Sequence, residues 1–243
     1  GAFLAGNAAA KARHGMNEAI ARLSTGVRSM YGGDAAGASV AHSMRADGRG
    51  ALAAARNVED GISFLQAGES ALLEIAALNT RLRELKVQHT NGILTAGDKA
   101  AIEAEEDEVL AAGNAIDAAE LNGTALLTAT KNFTINLDAG TDAFGAAAGI
   151  VLVDDTITNI DAQSVKIAKG LGLMAAGISA LKGHQGALYA LAANSEAAAA
   201  RIQDTDFARS SANLAKFSIM NQSAMAMVAQ ANQANATVLS VLQ

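Results

Sequence analysis

Cysteine, proline and tryptophan are missing altogether from this chain of 243 residues, and aromatic residues make up only 3% of it. Without cysteine there are no disulfides and no CxxC metal sites, which fits the cytosol as well as an exported protein whose cohesion comes from elsewhere. Average usage would supply about a dozen prolines. With none, no helix is interrupted by one, no slow cis/trans step delays refolding, and fast refolding is a candidate selected trait. A basic stripe is also lacking: the net charge is -6, the pI is near 5.2, and Lys and Arg are spread singly, which argues against nucleic acid as a partner. No run of 18 or more apolar residues is read, and Asn221, Gln222, Gln230, Asn232, Gln233 and Asn235 break the apolar C-terminus, so no transmembrane segment is expected. The chain begins at Gly1 without methionine and without a basic-then-apolar signal pattern, as a trimmed chain or the visible part of a longer one would.

What is present is hydrophobic but small. Hydrophobic residues reach 51%, much of it alanine, which buries little area per residue, so long closely packed helices or burial between subunits must supply the stability. The last 27 residues, Phe217 to Gln243, carry no charge. Apolar and small positions there recur in 3,4 alternation at Leu214, Phe217, Asn221, Ala224, Val228, Ala231, Asn235, Val238 and Leu242. That is a coiled-coil seam, and it needs a partner to cover it. At the other end, Phe3 to Leu23 reads as a helix with the same spacing at Leu4, Ala8, Ala12, Met16, Ala19 and Leu23.

Between the ends, Gly26, Gly32, Gly33 and Gly37 mark a joint. Helical periodicity returns from about Ala38 to His89, with Val58, Ile62, Leu65, Leu72, Ile75, Leu78, Leu82 and Leu85 on one stripe. Asn91-Gly92 and Gly97 close it. Asp98 is placed to cap a third helix, which runs to about Leu121 and stops at Asn122-Gly123. Alternation at Phe133, Ile135 and Leu137, followed by an apolar run at Ile150 to Val153, predicts a β-hairpin within 131–155. Helix resumes near Asp161, continues raggedly through glycines, and leads to an Asp204-Thr-Asp206 cap before the charge-free helix. The fold class is therefore mainly α: long helices in an antiparallel coiled-coil-like bundle, terminal helices paired, with a small β-hairpin in the middle.

Chemistry-bearing clusters are few. His14, His42, His89 and His184 lie far apart, and none sits in HExxH. Glu103, Glu105, Glu106, Asp107 and Glu108 could in principle hold a hard cation, but consecutive helix positions diverge, so a solvated face or a charged patch facing a neighbour is the better reading. No catalytic, metal or cofactor site is expected. The methionines Met220, Met225 and Met227 read as adaptable packing.

Three stretches carry a family resemblance. Ala21-Arg-Leu-Ser-Thr-Gly-Val-Arg28 is followed by Asp34-Ala-Ala-Gly37; Asn57-Val-Glu-Asp-Gly-Ile-Ser63 leads to Arg83-Glu-Leu-Lys-Val-Gln88; Arg201-Ile-Gln-Asp-Thr-Asp-Phe-Ala208 is followed by Ala212-Asn-Leu-Ala-Lys216 and Val228-Ala-Gln-Ala-Asn-Gln233. In this order they resemble bacterial flagellin, across most of the chain outside 124–183. The segment Arg28 to Gly37 departs from the family, being about one residue short and reading Tyr31-Gly-Gly-Asp34. The helix between Gly186 and Arg201 is roughly a dozen residues shorter than usual, near three turns, which would preserve its buried face. The start lacks the family's usual opening residues.

The resemblance implies an inner domain, D0, of residues 1–33 and 205–243, and a D1 domain of residues 34–204, with no outer domain: a short flagellin. It implies a subunit exported unfolded without a cleaved signal peptide, assembling into the extracellular flagellar filament for motility. Leu4, Met16, Leu23, Leu214, Phe217, Val228, Val238 and Leu242 are the expected polymerisation seam. Asn221 and Asn235 at seam positions suit register, and the remaining amides suit the wall of a channel. Arg81, Leu85 and Glu105 fall where the resemblance places the D1 surface recognised by the vertebrate innate receptor for flagellin; inter-subunit packing and a helix-surface ion pair are their primary reading, and receptor recognition is secondary and conditional on a host. An export chaperone, a filament cap and hook-associated proteins are further implied partners. Two other readings are a hook–filament junction protein and a flagellin-derived cell-surface polysaccharide binder, the latter needing a cationic patch from Arg45, Arg49 and Arg56 or from Arg81 and Arg83.

Overall fold

The computed structural model describes residues 1–28, 34–128, 130–136, 140–145, 150–153 and 156–241, with side chains described up to residue 237. Tyr31, Gly32 and Gly33 of the predicted joint, Leu137 of the predicted hairpin, the Val238 side chain and Leu242 of the seam therefore lie outside the described residues. Helices dominate: α1 (Ala2–Thr25), α2 (Ala35–His89), α3 (Ala96–Asp117), α4 (Ile157–Gln203) and α5 (Phe207–Val241). Between α3 and α4 lie two antiparallel strand pairs, β1 (Glu120–Leu121) with β2 (Thr124–Ala125), and β3 (Thr130–Thr134) with β4 (Thr141–Gly145).

Three of the helix starts have a local side-chain cause. Asp34 caps α2, its Oδ1 accepting the Gly37 N–H at 2.8 Å. A Cβ on Gly37 would run into that same carboxylate, so the Asp-Ala-Ala-Gly motif is a cap together with the room the cap needs. The cap of α3 is Thr95 and not Asp98: Thr95 Oγ1 accepts the Asp98 N–H, and the Asp98 carboxylate accepts the Thr95 N–H in return. Asp206 caps α5 by accepting the Arg209 N–H at 3.0 Å.

The third helix ends at Asp117, short of the expected Leu121. Asn122 and Gly123 both have positive φ, 51° and 69°, and join β1 to β2 as a two-residue hairpin instead of stopping a helix. The larger hairpin also differs from expectation. Thr130–Thr134 pairs with Thr141–Gly145, Phe133 standing opposite Asp142. Ile150 and Leu152 are instead buried as core residues without a strand partner, consistent with an apolar run whose side chains are needed inside.

The chain divides into two units, residues 49–193 and residues 1–48 with 194–243; α2 and α4 contribute to both. In the 49–193 unit the core comes from α2 (Val58, Leu65, Leu72, Ile75) and α4 (Ile167, Met174, Leu181, Leu188), closed by Leu126, Leu127, Ile150 and Leu152. The aromatics are few and clustered, with ring centroids 6.1 Å apart for Phe64 and Phe133 and 6.5 Å for Phe133 and Phe144. Leu78, expected on the α2 stripe, is only half-buried, and the neighbouring Asn79 is buried instead. Its Nδ2 donates to the Ile160 carbonyl at 3.2 Å and to Ser164 Oγ at 2.8 Å, which fixes the register of α2 on α4.

Helix α4 is continuous, its glycines notwithstanding. It also contains an 18-residue window of mean hydropathy 1.3, long and apolar enough to match a membrane span by length and composition although it is no unbroken apolar run. Leucine, isoleucine and valine, with alanine and few charges between them, produce that value. Ile167, Met174, Ile178, Leu181, Leu188 and Ala192 of this helix are buried in the core, as in the central helix of a water-facing bundle.

Candidate assembly surface on the paired terminal helices

The terminal unit is built on α1 and α5. Ideal Cβ positions place Gly1 against Ala231, Gly15 against Phe217 and Gly26 against Phe207, so the two helices run antiparallel along most of their length. On α5 the covered positions follow the predicted seam: Ala224 is buried, and Leu214, Phe217, Asn221, Val228 and Ala231 are half-buried, while Asn235 is exposed. On α1 the covered face is Ala9, Ala12, Gly15 and Ala19, flanked by half-buried Met16 and Leu23. Leu4 and Ala8 fall off this face, and Leu4 is 74% exposed. The predicted α1 stripe therefore holds from Ala12 onward and is rotated by one residue before it.

Gly15 carries a contact that spacing alone did not reveal. A Cβ there would come within 2.6 Å of the Phe217 ring, so the ring occupies the space that glycine leaves. The large side chain of one helix and the empty position of the other form a single knob and hole.

Past α1 the chain is tied back on itself. Gly26 ends the helix in the left-handed region at φ 70°, its N–H reaching the Arg22 carbonyl. Val27 then bridges Asp204, Arg28 N–H donates to the Gln203 carbonyl at 2.7 Å, and Thr205 N–H donates to the Gly26 carbonyl at 2.9 Å. Beside this tie lies an open polar cavity of about 340 Å³ lined by Arg22, Arg28, Asp204, Asp206 and Arg209 among others. Two of its arginines are answered by the chain's own acids: Glu18 holds Arg22, and Asp34 holds Arg28 at 2.6 Å. The Gly37 N–H first and Arg28 second hold the Asp34 carboxyl below the usual aspartate range.

The acidic cluster on α3 is exposed at Glu103, Glu105, Asp107 and Glu108, and part of it also meets α2. Glu105 pairs with Arg81 at 2.5 Å, Glu106 with Lys86 at 2.8 Å and Glu103 with His89 at 3.0 Å, so three of its members dock α3 onto α2. Glu106 is fully buried. Hydrogen bonding to Glu105, then to Glu84, raises the Arg81 pKa further above its ordinary value. Leu85, expected on the surface with Arg81 and Glu105, is 1% exposed. It shares the inward face of α2 with Leu82, so only Arg81 and Glu105 of that trio face solvent.

Part of the cationic patches that a polysaccharide binder would need is engaged. Arg45 reaches Gln203 at 2.6 Å and lies near Glu196 and Asp204, while Arg83 is held by Asp161 at 2.7 Å. Among the described residues no three His, Cys, Asp or Glu side chains converge as a metal site.

Comparison with known proteins places this architecture. Residues 3–132 match the bacterial flagellin N-terminal helical region, and residues 150–242 match the bacterial flagellin C-terminal helical region. The chain is 35% identical to the flagellar filament 33 kDa core protein of Treponema phagedenis, covering 91% of this chain and 90% of that protein. It is 33% identical to flagellin FlaB2 of Treponema pallidum (strain Nichols), covering 92% and 91%. Against the flagellin of Halalkalibacterium halodurans identity is 32%, covering 93% and 91%. The hook–filament junction and polysaccharide-binder readings find no support in these relatives. With both terminal helical regions matched and about nine-tenths of each relative spanned, the chain belongs to the bacterial flagellin family.

Proposed function

We propose that this chain is the structural subunit of a bacterial flagellar filament, a short form in which residues 1–33 and 205–243 act as the D0-like domain and residues 34–204 as the D1-like domain. The observation that carries the proposal is the state of the terminal pair. The seam between α1 and α5 is closed, yet Phe3, Leu4 and Ile20 on α1 and Ile219, Met225 and Met227 on α5 stay exposed. An alanine-lined pair buries little apolar area by itself, so these outward residues supply the surface that further copies cover. The names of the relatives, filament core proteins among them, agree with that outcome.

Assembly is then the mechanism, and the function needs no catalytic step. The subunit leaves the cell unfolded, without a cleaved signal peptide, and adds to an extracellular filament that transmits torque. The exposed amides of α5 (Gln222, Gln230, Asn232 and Gln233) suit a channel wall, because uncharged side chains neither grip nor repel a passing chain. Asn221, half-buried at the seam with Oδ1 unpartnered, suits a register-setting role. Arg81 and Glu105 belong to a subunit-packing surface, which an innate receptor would read only where a host is involved. An export chaperone, a filament cap and hook-associated proteins complete the partner set.

Electron microscopy of the purified protein after seeding with short filament fragments tests the reading. Tubes with a central channel are expected. Soluble monomer under conditions where the seeds themselves persist would overturn it.

A further inference from the structure

Seven methionines occur in the chain, and the fold sorts them sharply. Met174 is fully buried in the core of the 49–193 unit, and Met16 and Met44 are half-buried. Met220, Met225 and Met227 all lie on α5 and are 42%, 53% and 62% exposed. Met30 lies outside the described residues.

The three exposed thioethers bracket the seam. At about 100° per residue, Met220 and Met227 stand on one flank of the Phe217, Ala224 and Val228 stripe and Met225 on the other. Their near neighbours on the helix include alanine, serine and amide residues beside Phe217, Ile219 and Val228, and all three methionines remain exposed among them. From Phe217 onward the helix bears no charge, so a polar change at these three positions is large relative to their surroundings.

We propose that Met220, Met225 and Met227 form a methionine-oxidation site through which an oxidant of the peroxide class halts addition of the subunit to its own polymer. The thioether sulfur attacks one peroxide oxygen, the O–O bond breaks, that oxygen stays as the sulfoxide, and the other leaves as water after taking up the proton. Sulfur is oxidised by two electrons and the peroxide is reduced by two. Each event turns a flexible apolar side chain into a polar one on the face that has to be covered during assembly. Because these side chains lie outside the α1–α5 seam, oxidation leaves the helical pair formed. The effect on assembly rests on the filament reading above, whereas the order in which the methionines oxidise does not.

The experiment treats the full chain with graded hydrogen peroxide, maps sulfoxides by peptide mass spectrometry, and follows seeded elongation and helicity on the same samples. The three α5 methionines should oxidise before Met174. Elongation should be lost as they do, with helicity retained, and a methionine sulfoxide reductase should restore it. Measured against its own untreated rate, the triple variant Met220→Leu, Met225→Leu, Met227→Leu should lose less elongation than the unaltered chain at the same dose. Oxidation of Met174 in step with the trio overturns the site assignment. Full elongation by chains carrying all three sulfoxides, or equal peroxide sensitivity in the leucine variant, overturns the assembly effect. Should the untreated chain fail to elongate, the filament reading falls, and the order of oxidation still decides whether the site exists.

Discussion

Gly15 and Phe217 show how much of the terminal pairing rests on single side chains. Ordinarily a helical Gly→Ala change gains about 1 kcal/mol, because alanine loses less backbone entropy. At Gly15 the new methyl would have to displace an aromatic ring from 2.6 Å, and overpacking of that kind costs about 1–3 kcal/mol. The clash outweighs the propensity gain. Gly15→Ala should therefore lower the stability of the α1–α5 pair, whereas Gly6→Ala, with nothing within 4 Å of its Cβ, should raise it. Chemical denaturation of the two variants read by circular dichroism, with α1 amide exchange, checks the opposite signs. Glu106 makes a second such case. Its carboxylate is buried with Oε1 unpartnered and Oε2 on Lys86, so Lys86→Met leaves a buried charge without its cation. A loss of about 3–5 kcal/mol is expected, against a much smaller one for Arg81→Met at the exposed pair, measured by urea unfolding.

At the scale of elements, caps set where helices begin, and two of them titrate. Asp34 holds the Gly37 N–H, and Asp98 holds Thr95 through its side chain first and its backbone second; both carboxyls sit below the ordinary value of 3.8. A depressed carboxylate contributes stability that is complete above its unfolded value and lost as pH falls through the folded one. The first turns of α2 and α3 should accordingly be protected at neutral pH and fray below the ordinary aspartate value. Amide exchange at Gly37 and Asp98 across an acid series measures this, and pH-independent protection there would contradict the capping account. The same elements show what could be read from residues alone. The α5 seam was legible because Phe217, Ala224 and Val228 keep a strict spacing with no competing stripe. On α1, Ala8 and Ala9 are chemically equal, so spacing could not tell which faces α5, and the predicted register slipped there. Asn122-Gly123 carried its hairpin signal openly, but the apolar pattern before it favoured a longer helix. The partner of β3 was misassigned for a related reason: Ile150 to Val153 is more apolar than Thr141–Gly145, yet its side chains were needed in the core and not in a ladder.

For the whole molecule, thin alanine-lined contacts within one chain and exposed apolar residues outside them describe a subunit that gains cohesion from copies of itself. The family and the helical plan were legible in the terminal motifs, because caps, ties and seam each need specific residues there. The inter-helix ion pairs of Lys86 and His89 with the α3 acids were not, since partner choice depends on how α3 folds back, which no local spacing records, whereas an ion pair at Arg81 and Glu105 is expected from the resemblance. On the proposed reading, the α5 seam is the point where chain and polymer depend on the same residues. A charge at half-buried Val228 has no partner on the charge-free helix and should disrupt seam and assembly together, while the separately packed 49–193 core keeps its fold. The most direct measurement is seeded elongation of the Val228→Asp variant beside the unaltered chain, imaged by electron microscopy. The unaltered chain is predicted to extend the seeds as channelled tubes and the variant to remain monomeric with its 49–193 unit folded. Tubes of normal length and yield from the variant would contradict the account that the closed α1–α5 seam is required for assembly.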